Sequence, residues 1–229
     1  MGESRTAEES RVYNVEKMGE DLGSLYSYLW QELAWLYTKW NEYATLYGTK
    51  ASRVEILNKA APYFFRVVQD SLWEDVVIHI ARMTDPPKSM GKPNISVQRL
   101  PILVEGTELK AQLESLVSVA KEASEFCRDW RNRRIAHRDL DLALGNNAEP
   151  LAAVSREKVK KALQALTDIL DAVSMNYLDS STMFDMGANH GGGELLLRVL
   201  HDGLDAQKTR HERMLAGTAS PEDFSLAEL

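Results

Sequence analysis

The sequence predicts an all-α fold, an up-and-down four-helix bundle with additional shorter helices, and three observations lead there. Apolar residues recur at helical spacing through several long stretches, as in the seam Val159, Leu163, Leu166, Leu170, Val173 and Tyr177, which alternates steps of four and three. No stretch alternates apolar and polar residues over a useful strand length, and there is no internal repeat or glycine-rich turn between a strand and a helix. The breaks between stretches fall at glycine, proline and serine or asparagine clusters, where helices start and stop.

Residues 1–11 read as a polar, disordered start, and the bundle is expected over 12–180. Met18, Leu22, Leu25, Leu29, Leu33, Leu36, Trp40, Tyr43 and Tyr47 define a first long helix, with Gly48 as its stop. Trp30, Trp35 and the neighbouring tyrosines make this helix aromatic all round. Such rings serve as core or subunit contacts, and bases could also stack on them. A second helical stretch starts near Ser52, with Pro62 marking a kink or a fresh start, and runs through the apolar segment Tyr63 to Met83. His79 within it reads as a core histidine with a hydrogen-bond partner. Asp85-Pro86-Pro87 ends the stretch, and the position of Asp85 ahead of the loop allows it a part near a site. Residues 86–94 read as a lid-like loop, after which Asn94 or Ser96 caps a short turn through Leu100. A third long helix runs from Thr107 towards His137, Gly145-Asn146-Asn147 breaks the chain, and Ser155 caps a fourth. Residues 181–193 form a glycine-rich linker, 194–216 a C-terminal helix and 217–229 a frayed tail.

Composition narrows the functional classes. The 229 residues are 44% apolar and 27% charged, ordinary for a soluble globular chain, and no run suggests a membrane span. A single cysteine, Cys127, precludes an intrachain disulfide and agrees with a cytoplasmic location. The net charge of −7 opposes nonspecific attraction to nucleic acid, so any such binding must be local. His201 and His211 have no companion at metal-ligand spacing, His190 sits beside glycines in a loop, and no nucleotide-loop, serine-triad or kinase pattern occurs. No cofactor or metal is therefore expected.

The informative segment lies at the end of the third helix. Its seam, Leu109, Leu113, Leu116, Ala120, Ala123, Cys127 and Trp130, continues to Arg134 and His137. Five arginines, Arg128, Arg131, Arg133, Arg134 and Arg138, stand within eleven residues, against the acidic average of the chain. An arginine-rich helix end is often a solvated C-terminus whose cations complement the dipole, with His137 as a cap. The competing reading is a cleft that holds these groups for chemistry.

Arg131-Asn132, four intervening residues and His137 resemble the signature of the HEPN superfamily of helical domains. The context from Cys127 to Asp139, with Trp73, Ile80-Ala81-Arg82-Met83-Thr84-Asp85-Pro86 and Asn94-Ile95-Ser96, is similar to its AbiU-like abortive-infection branch. The resemblance implies a bundle that pairs into a homodimer with both motif copies facing each other, and active members that cut RNA without metal. It implies Arg131, His137 and Asn132 as catalytic residues, with Arg134, Arg138 and Arg133 holding substrate phosphates. Histidine can take or give a proton near neutral pH, and arginine can grip a phosphate through paired hydrogen bonds. Six residues of regular helix turn through about 600°, so Arg131 and His137 would lie roughly 120° apart. Either a two-fold axis joins one copy's arginine to the other's histidine, or the helix unwinds before His137.

The expected function is thus a metal-independent endoribonuclease acting in phage defence or as a toxin, with RNA as substrate, no membrane partner, and room for an antitoxin or other protein partner. A noncatalytic nucleotide- or RNA-binding module or dimeric scaffold is the alternative. A protein whose aromatic first helix docks another helix is a third.

Overall fold

A computed structural model describes residues 5–137, 139–146, 149–185 and 191–224. It is all-α and HEPN-like in its helical organisation, and the chain divides into two compact units, Met1–Trp40 with Leu72–Met186 and Asn41–Ser71 with Gly187–Leu229.

In the first unit, helix α1 (Ala7–Met18) begins earlier than the sequence reading placed ordered chain. A reciprocal cap accounts for the difference: Glu9 N donates to Thr6 Oγ1 (3.2 Å), and Thr6 N donates to the Glu9 carboxylate (2.7 Å). Gly19, at φ 83°, ends α1, and α2 (Glu20–Tyr43) doubles back beside it. The two pack so closely that a Cβ on Gly23 would lie 2.6 Å from the Asn14 carbonyl and the Val15 backbone. Leu29, Leu33 and Leu36 of α2 are fully buried, and the seam bends slightly to bury Tyr26 and Tyr37 as well.

Helix α4 (Pro62–Met83) makes a fresh start at Pro62, whose missing N–H costs nothing in a first turn. Its C-terminal part buries Val76, Val77, Ile80 and Ala81 in the first unit. The loop beyond carries a small antiparallel hairpin, β1 (Lys88–Ser89) on β2 (Lys92–Pro93), turning through Met90 (φ 46°) and Gly91 (φ 83°). Two-residue strands leave no alternation to read, which is why the sequence showed none. Ser96 caps a 3-10 turn (Val97–Arg99) that leads into α5 (Leu100–Leu103).

The long third helix is divided. Helix α6 (Thr107–Ala123) ends at Ser124, and α7 (Glu125–Trp130) follows. Ser124 is fully buried and its Oγ donates to Thr84 Oγ1 (3.0 Å), a side-chain bond that competes with the helix ladder. Helix α8 (Leu140–Leu144) is capped by Asp139 and closed by Gly145 in the left-handed region at φ 70°. Helix α9 (Arg156–Leu178), capped by Ser155, buries Val159, Leu163, Leu166, Ile169, Leu170 and Val173 and packs along α6.

The second unit comprises a wide turn (Ala44–Gly48), α3 (Ala51–Ala60), the start of α4 and α10 (Gly193–Leu215). Leu46, Leu57, Phe65 and Leu197 form its core. Arg53 ties it by donating to the Thr45 carbonyl (2.9 Å) and to Glu194 Oε1 (2.9 Å), and Gly193 N donates to Glu42 Oε2 (2.6 Å). Within the expected tail of 217–229, Pro221–Phe224 form a 3-10 turn, where buried Asp223 pairs with Arg213 of α10, and 225–229 lie outside the described residues. That guanidinium holds the Asp223 carboxyl far below the usual carboxylate range.

Candidate active site

The site is built on the end of α7. Trp130 packs edge-on against Trp73, with ring centroids 5.7 Å apart, and its Nε1 donates to the Ala152 carbonyl (3.0 Å). One residue earlier, Asp129 Oδ2 accepts from Ala152 N (2.7 Å). Arg133 completes the clasp: Nη1 donates to Asp129 Oδ1 (3.3 Å), Nη2 to the Glu149 carbonyl (2.5 Å), and Nε lies 3.7 Å from Asp139 Oδ2. Expected as a phosphate ligand, Arg133 has its donors committed to fastening the segment ahead of α9.

From this base the helix widens. Residues Arg131–Ile135 form a π turn, in which Ala136 N bonds the Arg131 carbonyl (2.8 Å), and Asp139 N reaches back to the Arg133 carbonyl (3.0 Å). The helix therefore widens ahead of His137, which lies just beyond the last helical turn.

Arg131 is anchored from below. Its Nη1 donates to both oxygens of Asp85, at 2.7 and 2.9 Å, and its Nε to Asn132 Oδ1 (3.1 Å). Nη2 has no partner among the described residues. Arg128 approaches the same carboxylate, with Nη1 3.7 Å from Asp85 Oδ1, and its Nη2 donates to the Thr84 carbonyl (3.4 Å).

The backbone carrying Asp85 is itself pinned. Ser96 Oγ donates to the Asp85 carbonyl (2.5 Å), and Gln98 Nε2 to the Thr84 carbonyl (2.7 Å). Arg128 also stands 3.7 Å from Glu125 through Nε, so two carboxylates face the two guanidinium groups, and the Asp85 contact fixes the orientation of the Arg131 plane.

Asn132, Arg134 and His137 are exposed, and Arg134 lies with its guanidinium carbon 5.5 Å from the centre of the Trp130 ring. No hydrogen bond joins His137 to Arg131 or Asn132 among the described residues. Arg138 and His190 lie outside the described residues. Sequence reasoning singled out the cations and allowed Asp85 a part near a site, but did not pair that carboxylate with Arg131. The signal was Thr84-Asp85-Pro86, in the second segment that carries the family resemblance.

His79 is a core residue, 1% exposed. Its Nδ1 stands 3.4 Å from Lys39 Nζ, and its Nε2 is 2.9 Å from Glu32 Oε2, off the line of a hydrogen bond. Burial pushes its pKa down, helped by Lys39, so it stays neutral. With Nδ1 accepting from the ammonium, the proton sits on Nε2.

The described residues form an all-α, HEPN-like helical fold whose arginine-rich π turn, Arg131–Ile135, stands just ahead of His137. A family model, HEPN_AbiU2 (AbiU2), matches residues 19–195, and the chain belongs to that family. No curated protein and no solved structure matches it. Among the described residues no helix is long and apolar enough to cross a membrane.

Proposed function

We propose that the protein is a metal-independent endoribonuclease of HEPN type, acting in phage defence or as a toxin, with a composite active site formed between two copies of the chain. The observation that supports this most is the Arg131 guanidinium: it is oriented by Asp85 through one nitrogen, and its Nη2 has no partner among the described residues, in a segment where Asn132 and His137 are exposed.

In this reading an RNA phosphate takes Nη2 and, once Asn132 swings aside, Nε, giving the forked contact that arginine makes best with phosphate. One histidine removes the 2′-OH proton, the 2′-oxygen attacks phosphorus, and the 5′-oxygen leaves with a proton from the second histidine. The products are a 2′,3′-cyclic phosphate and a 5′-hydroxyl. Arg131 stabilises the charge that builds on the phosphoryl oxygens, and Arg134 and Arg138 hold flanking phosphates. The step needs both a base and an acid, one chain supplies a single imidazole in this motif, and the histidine of a second copy would supply the other role. That is the chemical case for a homodimer.

Purified protein is expected to cut single-stranded RNA in EDTA, and His137→Ala to reduce the rate at least 1000-fold while helicity and dimerisation stay unchanged. Equal cleavage by the variant, or none by the parent, overturns the proposal. A second reading, a noncatalytic RNA-binding module, is favoured by the neutralising Asp85 contact on Arg131. It predicts retention of RNA without product, and a salt dependence that weakens on Arg134→Ala.

A further inference from the structure

Asp85 has a second neighbourhood. Besides holding Arg131, it lines a cavity of about 380 Å³ together with Tyr28, Glu32, Arg82 and Asn94, floored by fully buried Leu29. That volume lies within the range of small-molecule sites and exceeds what a single nucleobase needs. Tyr28 and Glu32 are one helical turn apart on α2 and share a face. Asn94 is not free for a ligand: its Nδ2 donates to the Pro86 carbonyl (2.8 Å) and its Oδ1 accepts from Ser89 (3.2 Å), so it braces the rim made by the hairpin loop.

Glu32 stands at the end of a chain of groups built around buried His79. Asp75 pairs with Lys39 (2.6 Å), the ammonium faces His79 Nδ1, and the opposite ring nitrogen lies against Glu32. Because that ring nitrogen is off the hydrogen-bond line, the carboxylate keeps acceptor capacity for the cavity. Arg82 has no ion-pair partner among the described residues.

We propose that this cavity seats a guanine base of the RNA whose phosphate engages Arg131. The choice of base follows from donor and acceptor order. Guanine alone presents two adjacent donors, N1–H and the 2-amino group, to a carboxylate. Adenine and cytosine set a ring acceptor beside their amino donor, and uracil sets carbonyls on both sides of its N–H, so each would oppose Glu32. Arg82 matches the remaining edge, since a guanidinium pairs with guanine O6 and N7. Tyr28, half exposed on the cavity wall, offers a stacking surface. The placement of the base next to the reacting phosphate rests on the ribonuclease reading, whereas recognition of the base does not.

The test is calorimetric titration of the full-length protein with 3′-GMP, 3′-AMP, 3′-CMP and 3′-UMP, joined to cleavage of mixed-sequence oligoribonucleotides in EDTA. The expected result is 3′-GMP binding at least tenfold tighter than the other three, with cleavage concentrated beside guanosines. Glu32→Gln should erase the preference, and Tyr28→Ala, at an exposed position that cannot unfold the core, should weaken all binding severalfold. Equal affinity for the four nucleotides, no binding, or a preference that survives Glu32→Gln overturns the inference. RNA cleavage without base preference would end the guanine site and leave the ribonuclease intact. Selective 3′-GMP binding without cleavage would do the reverse.

Discussion

Asp85 carries the most weight among single residues. Its side chain is 22% exposed and faces two guanidinium groups, so removing its charge strips partly buried Arg131 of the carboxylate that holds it, while Arg128 keeps Glu125 at 3.7 Å. Asp85→Asn is expected to cost about 1–3 kcal/mol of stability, the range for stranding a buried polar partner. It should also lower kcat at least tenfold, because the Arg131 plane loses its reference, while KM falls or stays level as the guanidinium becomes available to phosphate. Unfolding midpoints and steady-state kinetics on the same preparation check both parts, and a rise in KM with kcat unchanged would assign Asp85 a different role. The cationic motif was legible in the chain because arginines cluster against an acidic background. Asp85 could be given a part near the site, but its role as the orienting carboxylate could not, because 46 residues separate it from Arg131 and only the fold brings them together.

At the scale of elements, the α1–α2 hairpin depends on one glycine. Gly23→Ala would place a methyl group 2.6 Å from backbone atoms of α1, which cannot move aside as a flexible side chain could. The helices must separate, at an expected cost of about 1–3 kcal/mol, the range found for overpacked contacts. Thermal unfolding followed by circular dichroism measures it, and an unchanged midpoint would show that α1 is not packed as described. The long helices were readable from periodicity, though α1 and the short α8 were not, and the caps at Ser96 and Ser155 were readable from side-chain chemistry. What also escaped were departures that depend on distant partners. The break at Ser124 answers to Thr84, and the π turn at Arg131–Ile135 sits above Asp129 and Trp130, which clasp the chain at Ala152. No local pattern announces a helix that widens because its neighbours hold it.

Taken as a whole, the molecule is acidic, with a cationic turn at one place in its first unit, and RNA affinity there should be local and strongly salt-dependent. The order of its segments has a practical consequence. The stretch Asn41–Ser71 interrupts the first unit in sequence but belongs to the second, where Leu46, Leu57 and Phe65 share their core with Leu197 of α10. Truncation after Met186 would keep every residue of the arginine-histidine motif and still strip that greasy surface of its cover. Such a fragment is expected to be produced largely as insoluble aggregate, scored by the soluble fraction after lysis, because newly bared apolar patches seek one another. Anyone seeking a minimal fragment that keeps the motif should therefore trim within the chain, replacing 41–71 by a short linker as the end is removed, and not from the end alone.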